Sequence, residues 1–226
     1  TGETGTGKEV LAQSIHNFGR ERKKFVAINC AAMPENLLES ELFGYEEGAF
    51  TGARKGGKPG LFEFAHGGTL FLDEINSMPL NPQGKVLRAL ETKTIQRLGS
   101  TQSKKVDFRL LTASNEDLYH LVEEKKFRAD LYYRLAVIPI RLPPLRERRE
   151  DIIPLAQHFL KLFCRKYAKD KEFSPQTLQL MIQYPWPGNV RELRNFVERA
   201  VVMSLGRQVA VPDVSSFLDP APASPL

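Results

Sequence analysis

Cysteine is scarce in this chain: among 226 residues only Cys30 and Cys164 occur. They lie far apart and without a CxxC or metal-type spacing, which argues against a disulfide framework and for a reducing compartment. The four histidines, His16, His66, His120 and His158, are scattered. With no i, i+4 histidine pair and no carboxylate at a ligand-like offset, no transition-metal site is expected. No uninterrupted apolar run approaches the roughly 20 residues of a membrane-spanning helix. The Gly-rich, polar first residues do not resemble a signal peptide either, so a soluble, cytoplasmic chain with no membrane partner is expected. Neither sign of charge dominates, 32 Lys and Arg standing against 27 Asp and Glu for a net +5. A nucleotide's phosphates, an arginine-lined subunit contact or DNA would each account for that balance, so charge does not choose among them.

The length, with 42% hydrophobic residues, suffices for one sizeable core and a smaller companion. Four apolar runs, Phe25 to Ile28, Thr69 to Leu72, Phe108 to Ala113 and Ala136 to Ile140, alternate with helix-like stretches. That pattern predicts an α/β unit, a parallel sheet covered by helices, over residues 1–144. After Leu142-Pro143-Pro144 the texture turns helical, which predicts a second, helical unit over 145–208. Ile152, Leu155, Ala156, Phe159, Leu162 and Phe163 share one helix face, and Ser174-Pro175 reads as an N-cap and first helical position. A further helix is predicted from Asn189, with Glu192 completing a capping-box-like pair and Val190, Leu193, Val197, Ala200 and Val201 forming its apolar stripe. The Pro-, Ala- and Ser-rich stretch 209–226 reads as linker or tail.

The opening residues TGETGTGKE carry Gly2, Gly5, Gly7 and Lys8 at the spacing of a phosphate-binding loop. Glycines let backbone N–H groups wrap a phosphate, the lysine neutralises its charge, and the helix that follows points its positive end at the anion. Glu3, Thr4 and Thr6 complete the loop, while Glu9 stands where a magnesium-ligating hydroxyl is usual and brings a carboxylate near metal and phosphates. The chain begins inside this motif, so the strand expected to anchor the loop is absent and the sequence reads as a fragment.

In open parallel sheets ligands bind beyond the carboxyl ends of the strands. GGTLFLDE delivers Asp73 and Glu74 there, the aspartate to hold Mg2+ and the glutamate to polarise an attacking water. An acidic pair can also merely cap the next helix; the upstream phosphate loop favours the chemical role. RLLTASN delivers Ser114 and Asn115, whose amide can bond a γ-phosphate or the water, although Ser and Asn also favour plain turns. FVAIN ends in Asn29, and FRADLYYRL places Arg128 and Arg134 around a short Tyr-rich helix, where surface ion pairing is an arginine's commoner fate.

Gly48, Ala49, Phe50, Thr51, Gly52 and Ala53 spell GAFTGA, a hexapeptide that arises by chance in about one in 10⁵ chains of this length. Phe50, flanked by small and hinge-like residues, reads as an exposed aromatic on a flexible stalk, with Thr51 able to bond a partner backbone. Together with GETGTGKE, ESELFGYEEGAFTGA, GGTLFLDEI, FRADLYYRL and WPGNVREL, in that order along the chain, the hexapeptide gives a sequence that resembles the central AAA+ ATPase domain of sigma-54-dependent transcriptional activators. The resemblance implies an AAA+ P-loop NTPase fold with a small helical lid, ATP and Mg2+ as cofactors, and a ring, hexameric in the family. It implies that Asp73 and Glu74 form the Walker B pair, that Asn115 is sensor I, and that Asn29 pairs with the glutamate. Arg128 and Arg134 become fingers for a neighbouring subunit's nucleotide, and Arg191 becomes sensor II. The partners implied are the sigma-54 factor and RNA polymerase, met by the GAFTGA loop, with DNA bound through a domain outside this chain. Two other readings stay open: another AAA+ motor acting on nucleic acid, and a non-catalytic fragment that only binds partners.

Overall fold

The computed structural model describes residues 1–20 and 23–215, without the side chain of Arg20. The chain forms two compact units, one of Thr1–Gly2 with Lys8–Arg141 and one of Glu3–Gly7 with Leu142–Leu226. The division after Arg141 falls slightly ahead of the paired prolines. It also groups the loop residues Glu3–Gly7 with the helical part of the chain, which no local pattern announces.

In chain order the first unit contains α1 (Lys8–Arg20), β1 (Phe25–Asn29), α2 (Glu35–Phe43), β2 (Gly44–Tyr45), β3 (Lys58–Pro59), α3 (Leu61–Phe64) and β4 (Thr69–Asp73). There follow α4 (Leu80–Thr92), β5 (Thr94–Gln96), β6 (Ser103–Lys105), β7 (Arg109–Thr112), α5 (Leu118–Glu123) and α6 (Ala129–Leu135). Strands β1, β4 and β7 make a parallel sheet in that order. Side chains alternate across a strand, and both faces are apolar here. Phe25, Phe71, Leu111 and Ala113 pack with Ala12 of α1 on one face. Val26, Ile28, Leu70, Leu72 and Leu110 join Leu38, Leu42, Val86 and Leu131 on the other. Burial on both sides is why these strands read as continuous hydrophobic runs rather than alternating ones.

The fourth apolar run, Ala136 to Ile140, is not a strand. Val137 and Ile138 are 73% and 80% exposed, and the segment is turn and irregular backbone. A strand exists only through its ladder, and among the described residues this segment pairs with no strand; the Ala136 N–H closes the end of α6 on Tyr132 O at 2.9 Å.

The second unit contains α7 (Ile152–Tyr167), β8 (Glu172–Phe173), α8 (Pro175–Gln183), α9 (Asn189–Met203), β9 (Gln208–Val209) and α10 (Val211–Val214). Helix α7 buries Ile152, Ala156, Leu160 and Phe163, while Leu162, expected on that face, is 46% exposed. Ser174 caps α8 by accepting the Thr177 N–H at 3.1 Å, with Pro175 next. Glu192 reaches back to the Gly188 N–H at 2.8 Å, so half of the expected capping box exists one residue earlier, and the Asn189 side chain is directed elsewhere. Val209 and Val214 are fully buried in this core, which corrects the reading of a linker from residue 209; residues 216–226 lie outside the described part. The carbonyls ending α9 are bound by Lys169 Nζ, at 3.1 Å to Val201 O and 2.6 Å to Val202 O, a cation at the negative end of the helix.

Trp186 is the lone tryptophan and is fully buried, edge-on to Tyr184 and Phe196 at 5.0 and 5.4 Å. Its Nε1–H donates to Met181 O at 2.8 Å. Trp186→Ala is expected to destabilise the helical unit by about 3–5 kcal/mol, the usual effect of emptying an aromatic site. Urea unfolding followed by far-UV circular dichroism would show a much earlier transition for nearly half of the helical signal; an unmoved midpoint would contradict the packing.

Candidate nucleotide site

In the first unit the parallel register brings strand ends together. Asn29 lies beside Asp73, and the N–H groups of Cys30 and Ala113 donate to Asp73 O and Leu72 O, both at 2.9 Å. Asn29, Asp73, Glu74, Ser114 and Asn115 therefore share one edge of the sheet, where ligands of such sheets bind. Glu74 adopts φ 50°, ψ 47°, a left-handed conformation that costs a residue with a Cβ roughly 1–2 kcal/mol. Such strain collects at functional positions. It turns the chain from β4 into the short 3₁₀ turn Ile75–Ser77, where the Ile75 N–H donates to Ala113 O at 3.0 Å.

A polar network joins the turns after β4 and β7. The buried Ser114 donates its hydroxyl to Glu116 O at 2.6 Å and lies 3.2 Å from Asn76 Oδ1. Asn76 Nδ2 donates to Glu116 Oε1 at 2.8 Å. Ser114 O also accepts the Gly2 N–H at 3.2 Å, and Lys8 Nζ at the start of α1 donates to Gly2 O at 2.7 Å. Burial, with Asp73 and Glu74 adding to it, pushes the Cys30 thiol up to about 12, so this cysteine is an inert neighbour of the acidic pair. Asn29 Oδ1 accepts the Ala31 N–H at 2.8 Å, a local turn. It does not meet Glu74 here, so the implied pairing of the two is not formed in this structure.

Glu123 and Glu124 do follow His120 at three and four residues, contrary to the sequence reading, and lie 3.5 and 3.2 Å from its ring. No group of three or more His, Cys, Asp or Glu fit to hold a metal occurs among the described residues. Mg2+ bound with substrate phosphates needs only one or two carboxylates, and Asp73 at the strand end fits that need.

The loop residues Glu3–Gly7 belong to the second unit. Gly5, at φ +82°, could not carry a Cβ, which would overlap Gly188 O and approach Arg191 Cβ at 3.2 Å. Arg146 holds the Glu3 carboxylate through Nη1 and Nη2 at 2.8 and 2.5 Å. Asn189 Nδ2 reaches Glu3 Oε2 and Thr4 O, each at 3.1 Å. The Val190 N–H donates to Gly5 O at 3.0 Å and Arg148 Nη2 to Thr6 O at 2.8 Å. Thr6 is buried; Arg191 is exposed at the start of α9 and Glu9 at the start of α1. Arg146, Arg148 and Asn189 escaped the sequence reading, because nothing in their local spacing shows that they meet residues more than a hundred positions away.

The two candidate finger arginines are exposed. Arg128 makes a bidentate pair with Asp130, Nε to Oδ1 at 3.0 Å and Nη2 to Oδ2 at 2.7 Å. That hydrogen bonding raises the Arg128 pKa and lowers that of Asp130. Arg134 has a single long contact, Nη2 to Leu90 O at 3.4 Å.

The hexapeptide Gly48–Ala53 lies between β2 and β3, which pair antiparallel through Gly44↔Pro59 and Tyr45↔Lys58. Phe50 is 45% exposed and lies edge-on to Tyr45 at 4.9 Å, so the aromatic is half-seated on the stalk's base. The Ala53 N–H closes a turn on Phe50 O at 3.0 Å, leaving Thr51 and Gly52 exposed at its tip. Beneath, Arg97 bonds Glu63 at 2.6 and 2.9 Å and Glu46 at 3.3 Å, and the Glu46 N–H donates to Leu98 O at 2.9 Å. These ties anchor the loop's base to the β5–β6 hairpin.

Comparison with known proteins places these features. The sigma-54 interaction domain matches residues 1–141 and an AAA+ ATPase lid domain matches residues 146–225. The regulatory protein AtoC of Escherichia coli strain K12 is 53% identical over 208 residues, 91% of this chain and 45% of AtoC. A Nif-specific regulatory protein of Herbaspirillum seropedicae is 53% identical over 207 residues, 91% of this chain and 38% of that protein. This chain thus spans less than half the length of either relative. The crystal structure of NtrX from Brucella abortus in complex with ADP superposes with a TM-score of 0.88 at 34% identity, covering 98% of this chain and 51% of that one. Among the described residues no helix is long and apolar enough to cross a membrane.

Proposed function

Because this chain belongs to the sigma-54 interaction family, on an AAA+ fold with a helical lid, we propose that it is an ATP-hydrolysing module that remodels the closed complex of sigma-54 RNA polymerase to activate transcription. The observation that carries this reading is the row of Asn29, Asp73, Glu74, Ser114 and Asn115 along one sheet edge, with Glu74 held left-handed.

In this reading the Gly5 and Gly7 amides and Lys8 hold the phosphates, and Arg191 reaches the nucleotide from the lid. Asp73 would hold Mg2+, which supplies neutralisation of phosphate charge. Glu74 orients and polarises the attacking water, while the Asn115 amide bonds the water or the γ-phosphate. Arg128 and Arg134 serve the nucleotide of a neighbouring copy in a ring, a hexamer by family precedent, and Asn29 engages Glu74 in another nucleotide state. DNA is met through a domain outside this chain. Specific ATPase activity measured against protein concentration tests the whole: it rises on assembly for a motor of this kind, whereas a flat trace at background identifies a module that only binds partners.

The Gly48–Ala53 loop is the part assigned to sigma-54. Thr51→Ala is expected to leave ATP turnover within about twofold, as a surface change does, while abolishing co-purification with sigma-54 and transcription from a sigma-54 promoter in vitro. Full transcription by this variant would remove the loop from the interaction.

A further inference from the structure

Three successive carbonyls of the phosphate loop are taken by residues of its own unit. Thr4 O accepts from Asn189 Nδ2, Gly5 O from the Val190 N–H and Thr6 O from Arg148 Nη2. A trans peptide is planar, with its N–H opposed to its C=O. The amides of Gly5, Thr6 and Gly7 are therefore aimed away from these donors, that of Thr6 being shared with Glu3 O at 3.3 Å. The Glu3 carboxylate adds a side-chain tie, forked by Arg146 and touched by Asn189.

Asn189 is the hub. It is fully buried and held at φ 53°, and its Oδ1 accepts the Leu145 N–H at 2.7 Å. With the amide oxygen committed there, the NH2 group must face Thr4 and Glu3. A donor whose orientation is set by a second bond is a rigid support rather than an incidental contact. Gly5 permits the close approach, since any Cβ there would strike Gly188 O.

We propose that Arg146, Arg148 and Asn189 are the positioning residues of the phosphate loop. They hold the carbonyls of Thr4 and Thr6 and the carboxylate of Glu3 so that the loop presents its amides to phosphate already oriented, and they make Glu3–Gly7 move with the helical unit. They act through the loop and do not touch the nucleotide. The inference rests on the ATP reading given above. Its consequence is that nucleotide affinity depends on residues that no phosphate-loop motif contains, since a pre-organised loop binds without the cost of ordering.

The test is the affinity of this chain for a fluorescent N-methylanthraniloyl-ADP, read beside thermal unfolding. Asn189→Asp keeps the acceptor for Leu145 but replaces the donor to Thr4 O with an oxygen; Arg148→Gln shortens the donor to Thr6 O. Each is expected to weaken binding about tenfold, the usual effect of losing a charged or buried hydrogen bond, with the unfolding midpoint little changed in Arg148→Gln and lowered in Asn189→Asp, which sets a buried oxygen against Thr4 O and the Glu3 carboxylate. Arg148→Lys is expected to restore most of the loss. Should Asn189→Asp not fold, Arg148→Gln and Arg146→Gln, both at partly exposed side chains, carry the same comparison. Variants that bind as tightly as the unaltered chain, while Lys8→Ala abolishes binding, would overturn the positioning role and leave the ATP reading standing. No binding by the unaltered chain would overturn both.

Discussion

Glu74→Gln is expected to lower ATP turnover by about 10²–10⁴-fold, the contribution of a positioned general base, while ATP binding persists. The two side chains have nearly the same shape, so the left-handed backbone at this position and the turn it directs are kept. What is lost is the carboxylate that orients and polarises water. Phosphate release under saturating ATP, measured beside equilibrium binding, separates the two effects. Turnover close to that of the unaltered chain would show that Glu74 is a structural residue and that the strain at the end of β4 serves the turn alone.

Arg128→Ala and Arg134→Ala are each expected to reduce turnover by about 10³–10⁵-fold, the value of an arginine finger, with nucleotide affinity in the isolated chain unchanged. The expected consequence is complementation. A subunit lacking Arg134 keeps its own Glu74, and one altered to Glu74→Gln keeps its arginines. Mixing these two inactive proteins should therefore regain activity as unlike neighbours assemble. The structure distinguishes the two arginines before assembly. Arg128 is held in a fork by Asp130 and, as a finger, would have to exchange that partner for a phosphate, whereas Arg134 would give up one 3.4 Å contact. If neither mixing nor protein concentration alters the rate, both arginines are surface residues and the ring assignment fails.

The three strands of the sheet were legible because burial on both faces writes an unbroken apolar run, and the register then places the polar residues that follow each run on one edge. At Ala136–Ile140 the same signal has no ladder to join among the described residues, and a strand exists only with a partner. The tail was misread from its proline and alanine content, although Val209 and Val214 complete the helical core. At the site, Gly5, Lys8, Asp73 and Glu74 were singled out by their spacing and by what such groups can do to a phosphate or a water. Arg146, Arg148 and Asn189 were not, because their contacts with Glu3, Thr4 and Thr6 join residues 142 to 186 positions apart. The pairing of Asn29 with Glu74 that the resemblance implies is not formed in this structure, where the Asn29 amide oxygen is spent on Ala31 N–H.

Calorimetric titration of the chain with ATP in the presence of Mg2+ tests the grip of Gly5, Gly7 and Lys8 on a triphosphate. Saturable binding of one nucleotide per chain, lost in Lys8→Ala, is the expected result. Absence of binding by the unaltered chain, or binding that Lys8→Ala leaves intact, would contradict it.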